Sequence, residues 1–225
     1  MPTLASFALR ARTSLLAATI VVSTAGAATT LVAIDASPVS AQEMPVNHFA
    51  PEITESAFQA IVALDDYVRD GRTADLELLA WHRAITARYA AQQLGYDEMA
   101  MIDSWASADL AHQRAVLGAL TQLGVPYRSN TSEPGVGFDC SGLTTFAWAG
   151  AGVELYRQSG VQIDDARRVG RDEAQPGDLV HYPGHVMMYL GVEDAIVHAP
   201  QTGRDVEIDT ISSRRRDSVS FGDPS

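Results

Sequence analysis

Between residues 52 and 123, apolar side chains recur every three or four positions. Phe58, Ile61, Val62 and Val68 form one such run, and Leu78, Trp81, Ile85 and Tyr89 form a second. This is the period of a helix with one face turned to a core. The punctuation agrees with it. Thr54 and Thr73 are placed to cap helix N-termini, Asp70-Gly71 breaks the first helix, and Gly95 and Gly124 stand where glycine commonly ends one. A third helical stretch starts near Asp97, restarts near Ser107 and carries Leu110, Leu117, Leu120 and Leu123 towards Gly124. Residues 52–112 are therefore expected to form a small helical region. Residues 42–51, aperiodic and with two prolines, read as a linker. Beyond Gly124, glycine and proline become frequent and one more helix is expected after Cys140. Short β-rich runs then lie at Leu179–Tyr182, 186–190 and Ala195–His198. Helices followed by adjoining short strands predict an α+β chain with an antiparallel sheet.

Charge and composition narrow the possible partners. The 225 residues include 16 Lys and Arg against 28 Asp and Glu, a net charge of −12. That balance excludes counterion-driven binding to nucleic acid. The Arg214, Arg215, Arg216 cluster reads as a solvated charge run. At the other end, Arg10 and Arg12 precede a nearly uncharged apolar stretch over 14–34, and Val39-Ser40-Ala41 is a small-residue cleavage pattern before Gln42. Residues 1–41 are thus expected to be an export signal, with an earlier cut near Ala25-Gly26-Ala27 as the alternative. The protein is expected to be secreted and to work outside the cytoplasm. Left uncut, the same stretch would anchor it to a membrane. The single cysteine, Cys140, rules out a disulfide framework and a thiolate zinc site. An idle thiol outside the cytoplasm is open to oxidation, so its presence calls for a function.

Phe138-Asp139-Cys140-Ser141-Gly142-Leu143 is the sharpest local feature. Asp139 is placed to cap a helix whose first turn holds Cys140, where unpaired N–H groups and the helix dipole favour a thiolate. A cysteine nucleophile needs a base. Of the six histidines, His48, His82 and His112 fall in the linker and the helical region, where surface or interhelical positions are expected. His181 has no obvious partner. His185 and His198 flank an expected hairpin. If the four residues 191–194 form its loop, Leu190 pairs with Ala195, and His198 lies opposite Met187, one diagonal step from His185 on the same face. No His, Asp or Glu spacing suggests a metal, and no cofactor is expected.

The segment Asp139-Cys140-Ser141-Gly142-Leu143 follows Gly124-Val125-Pro126-Tyr127. It precedes Gln175-Pro176-Gly177-Asp178-Leu179-Val180, His185-Val186 and His198-Ala199-Pro200. Over residues 113–225 this order resembles the NlpC/P60 family of cell-wall cysteine peptidases. The resemblance implies a papain-like core, in which a helix bearing the cysteine packs on an antiparallel sheet, here preceded by the small helical region. It implies a peptidoglycan endopeptidase that cuts stem peptides, commonly between D-glutamate and the diamino acid. Carried over, Cys140 is the nucleophile, His185 the general base, His198 the residue that orients it, and Tyr127 a contributor to the oxyanion hole. Asp139 and Ser141 match positions that contact the free amine end of the stem. The chain departs from the family pattern at Arg128-Ser129-Asn130-Thr131, at Met187-Met188, and in the 13 steps from His185 to His198 where 12 is common. The alternatives are a wall-peptide-binding module, silent or autoinhibited, and an amidase or acyltransferase on the same fold. The helical region is a candidate surface for a protein regulator.

Overall fold

The structure is a computed structural model that describes residues 47–225. The export signal expected over 1–41 and residues 42–46 of the expected linker lie outside them. Helix α1 (Ala50–Asp70) carries a proline in its first turn, where a missing N–H costs no helical bond, so the helix starts inside the stretch read as linker. Thr54 therefore caps nothing, and its hydroxyl donates to the Leu120 carbonyl at 3.4 Å. Helix α2 (Thr73–Leu94) has Arg72 as its cap residue, with Thr73 as its first residue. Gly71 and Gly95 end these helices in the left-handed conformation, each with φ of 69°. Helices α3 (Glu98–Ser107) and α4 (Leu110–Leu120) are capped by Asp97, which accepts from the Ala100 amide, and by Asp109, which accepts from the His112 amide. The expected restart near Ser107 thus falls at Asp109, and α4 runs through the expected division between 112 and 113.

A short ribbon follows, β1 (Ser132–Glu133) with β2 (Gly137–Phe138), and leads into α5 (Cys140–Gly150). A second helix after Cys140, α6 (Ser159–Asp165), was not expected from the pattern. Strands β3 (Arg167–Val169), β4 (Leu179–Tyr182), β5 (His185–Tyr189), β6 (Ala195–His198), β7 (Glu207–Thr210) and β8 (Ser220–Asp223) form one antiparallel sheet, ordered β3-β8-β4-β5-β6-β7.

Alternation along the central strands sorts their side chains between two cores. Val186 and Met188 of β5 join Leu143, Ala147 and Trp148 of α5 in a core that extends to Ile53, Leu79, Trp105 and Leu120 of the preceding helices. Met187 and Tyr189 point the other way, into a smaller cluster with Val180, Ile196, Ile211 and Phe221. The helices are also tied to the sheet by polar contacts. The Trp105 indole N–H donates to Leu190 O at 2.7 Å, Ser104 Oγ to Gly191 O at 3.0 Å, and the Ile208 amide to Asn47 Oδ1 at 2.9 Å. Residues 47–225 accordingly lie within one compact unit. The architecture is α+β, with helices first and the cysteine-bearing helix packed on an antiparallel sheet. Among the described residues, no helix is long and apolar enough to cross a membrane.

Candidate active site

Cys140 is the first residue of α5 and is half-buried. Asp139 precedes it in extended conformation, and its Oδ1 accepts the Gly142 amide at 2.8 Å. Position 142 must be glycine, because a Cβ there would collide with the Thr131 carbonyl. The same carboxylate gathers the neighbouring loop, since its Oδ2 accepts the Asn130 amide at 2.7 Å. Arg157 then covers it. Its two terminal nitrogens bond Oδ1 and Oδ2 at 2.8 and 2.7 Å, and one of them reaches Ser141 Oγ at 2.9 Å. Burial opposes ionisation of Asp139, but Arg157 and the two amides outweigh it and hold the carboxyl below its usual range. Arg157 therefore occupies Asp139 and Ser141, the pair expected to meet a substrate amine.

Tyr127 reaches the same place through the backbone. Its amide donates to Arg204 O at 2.9 Å, while the Phe138 amide donates to Pro126 O at 3.2 Å and the Arg128 amide to Phe138 O at 2.9 Å. This pairing sets Tyr127 beside the residues that lead into Cys140. Burial raises the Tyr127 phenol, and the charges of Cys140 and Asp139 raise it further, so at neutral pH it remains a hydrogen-bond donor.

The histidine pair is set by the hairpin. The Leu190 amide bonds Ala195 O at 2.9 Å, and Met188 and Tyr189 face Val197 and Ile196, the register that a loop over 191–194 requires. His185 Nε2 and His198 Nδ1 lie 2.9 Å apart, both residues buried. On the far side, His198 Nε2 stands 3.3 Å from Oε1 of Glu207, which faces His198 across β6 and β7 and is itself paired with Arg204. For a neutral imidazole pair these contacts assign the protons. A carboxylate only accepts, so His198 Nε2 carries its hydrogen and its Nδ1 accepts. His185 Nε2–H donates to that atom, and the lone pair of His185 is left on Nδ1. Burial first, then the neighbouring His198, push His185 down to about 3, so it is a neutral base at pH 7.

Among the described residues, Cys140 and His185 share no hydrogen bond. Tyr182 links their surroundings: its ring lies 5.3 Å from that of His185, and the charge of Cys140 adds to the burial that raises its phenol. The guanidinium of Arg215 lies over that ring, 4.5 Å from its centre. The arginine cluster is thus not a solvated run as a whole, because Arg216 also pairs with Asp194 at 3.0 Å.

Sequence reasoning missed Glu207, Arg157, Tyr182 and Arg215. Glu207, Arg157 and Arg215 meet their partners through chain pairing or loop placement that no local pattern encodes, whereas Tyr182 faces His185 across the two-residue turn Pro183-Gly184. His48 is exposed and His82 half-buried. His181 sits half-buried in β4, and its Nε2 has no hydrogen-bond partner. His112 is buried where α4 meets the sheet, with Nδ1 3.0 Å from Asp109 and Nε2 3.2 Å from Asp178 and 3.4 Å from Asp223. Among the described residues, two groups have metal-ligand character, His112 with Asp178 and Asp223, and His198 with Glu207 and Asp209. In the first, both ring nitrogens face carboxylates as donors and have no lone pair to give. In the second, the Arg204 guanidinium already pairs with both acids.

Residues 124–221 match the NlpC/P60 family. The chain is 34% identical over 108 residues to the peptidoglycan endopeptidase RipA of Mycolicibacterium smegmatis, a match covering 41% of this chain and 22% of that protein. It is 42% identical over 102 residues to the peptidoglycan endopeptidase RipB of Mycobacterium tuberculosis, covering 38% of this chain and 42% of the relative. A solved NlpC/P60 family protein from Bacillus cereus is 27% identical, with a TM-score of 0.47, and aligns over 50% of this chain and 40% of that one. The chain thus spans less than half the length of each of these two relatives.

Proposed function

Residues 124–221 being an NlpC/P60 domain, we propose that this protein is a secreted peptidoglycan endopeptidase. It hydrolyses an amide of the stem peptide, between D-glutamate and the diamino acid, with Cys140, His185 and His198. The observation that carries this reading is the contact chain from Glu207 through His198 to His185, which leaves a base lone pair on His185 Nδ1. Cys140 gives its proton to that atom and attacks the amide carbonyl. The resulting oxyanion is held by backbone N–H groups at the start of α5 and by the Tyr127 hydroxyl. The C–N bond breaks as His185 protonates the leaving amine. Water then attacks the thioester, His185 takes its proton, and the thiol is restored. Catalytic hydrogen bonds of this kind tighten in the complex with substrate, so Cys140 and His185 need meet only there. Asp139 acts as helix cap and anchor of Arg157, and a substrate amine reaches it and Ser141 only by displacing that guanidinium.

The helical region exposes Phe58, Leu78 and Trp81, surface on which a protein regulator would dock. Helix α3 bonds to residues 190 and 191, at the far end of the β5–β6 hairpin from His185, about 16 Å along the strand. That placement argues against α3 as a lid over the histidines. Incubation of the protein and of Cys140→Ala with muropeptides, followed by mass spectrometry of the products, tests the reading. Release of peptide ends cut within the stem, absent in the variant, is expected. Binding without cutting by both proteins would favour a silent module, and release of whole stems an amidase.

A further inference from the structure

The loop over residues 212–218 is closed on itself. The Arg215 and Arg216 amides donate to Ser212 O at 2.8 and 3.0 Å, and the Ser218 amide and hydroxyl donate to Arg215 O at 2.8 and 3.0 Å. It is also fastened from outside. Arg216 pairs with Asp194, and Arg171 bonds both Arg216 O, at 3.0 Å, and Asp194 Oδ1, at 2.6 Å. The outcome is one cation in a set position: Arg215 stacked on Tyr182, which faces His185 across the β4–β5 pair. Arg157, Arg171, Arg204 and Arg216 are each committed to a carboxylate of the protein. Arg215 is exposed and, among the described residues, has no carboxylate within ion-pair distance. A guanidinium stacked on a ring keeps its in-plane N–H donors free, the arrangement that takes a carboxylate in bidentate fashion. In a chain with an excess of acidic residues, such a cation one aromatic ring from the candidate base is a recognition element for an anionic group.

We propose that Arg215, held on Tyr182, binds a carboxylate of the substrate and selects stem peptides whose acidic residues are ionised over those in which they are amidated. The proposal rests on the peptidase reading for the identity of the peptide, but not for the existence of the anion site. Stem peptides supply the group, because each acidic residue in the stem keeps one carboxyl outside the amide backbone.

The test compares two muropeptides, identical except that the carboxyls of the acidic residues are free in one and amidated in the other. Wild type, Arg215→Gln, Arg215→Lys and Arg214→Gln are assayed on both, and Cys140→Ala with and without Arg215→Gln is titrated with both by calorimetry. Wild type is expected to favour the free acid by about tenfold in kcat/KM, mostly through KM. Arg215→Gln is expected to erase that ratio, Arg215→Lys to restore part of it, and Arg214→Gln to keep it. Equal turnover of both peptides by wild type, or a ratio untouched in Arg215→Gln, overturns the proposal. If neither peptide is cut but Cys140→Ala binds the acid more tightly in an Arg215-dependent way, the carboxylate site stands and the peptidase reading falls. If neither peptide binds, both fall.

Discussion

His112 and His185 are both buried, at 1% and 7% exposure, yet burial loses at the first and wins at the second. At the seam of α4 with the sheet, burial alone would push His112 down, but hydrogen bonds and charges from Asp178 and Asp109 outweigh it and raise it to about 9. The imidazolium holds three parts of the chain together: the cap of α4 through Asp109, the turn before β4 through Asp178, and β8 through Asp223. Gly177, at φ of 102°, brings that turn against the ring, and Trp148 meets the ring edge-on at 5.0 Å. His185 has another imidazole where His112 has a carboxylate, and the acid, Glu207, stands one ring further away. Carboxylates at both ring nitrogens make His112 a structural cation. With its nearest carboxylate one residue further out, His185 stays a neutral base whose tautomer is fixed.

If the two sites differ in this way, disabling each should damage a different property. His185→Gln removes the proposed base, and kcat/KM on muropeptides is expected to fall about a thousandfold, with the urea midpoint little changed. His112→Gln leaves buried carboxylates without their cation and is expected to lower unfolding free energy by about 3 kcal/mol in urea denaturation, with turnover of the folded fraction kept. The pH profile sharpens the same contrast. Because His112 binds its proton more tightly folded than unfolded, its contribution is complete below about pH 6.5 and is lost as pH rises towards 9. Stability should decline across that window in wild type and stay flat in His112→Gln. His185 is depressed, so kcat/KM should hold from pH 7 to 5, where an ordinary histidine would lose its base form. Glu207→Gln frees the His198 ring to flip its tautomer, and a drop in kcat of about tenfold to a hundredfold, with KM little changed, is expected. Asp109→Asn is the mildest change, because its side chain is 58% exposed. It keeps a capping oxygen and should cost about 1 kcal/mol or less by thermal denaturation.

The regions also differ in how much their sequences reveal. Strands β4, β5 and β6 carry apolar runs and are legible, whereas β3, β7 and β8 read RRV, EIDT and SFGD, too short and polar to signal alone. The hairpin loop over 191–194 sets the register by itself, so the nearness of His185 to His198 follows from local counting. Asp139 as a cap is likewise local. Glu207 is not legible, because its place opposite His198 depends on the path of residues 199–206 between two strands. His112 reads as a surface or interhelical residue, since the acids that bury it as a cation include Asp178, 66 positions away. Arg215 reads as solvated because Tyr182 meets it only through the closed loop over 212–218.

The charge states of the two histidines can be read without substrate, from nitrogen-15 NMR of the ring atoms at pH 7. His112 is expected to be protonated on both nitrogens, and His185 on Nε2 with an unprotonated Nδ1. A neutral His112, or a proton resident on His185 Nδ1, would overturn the contrast between a structural cation and a neutral base.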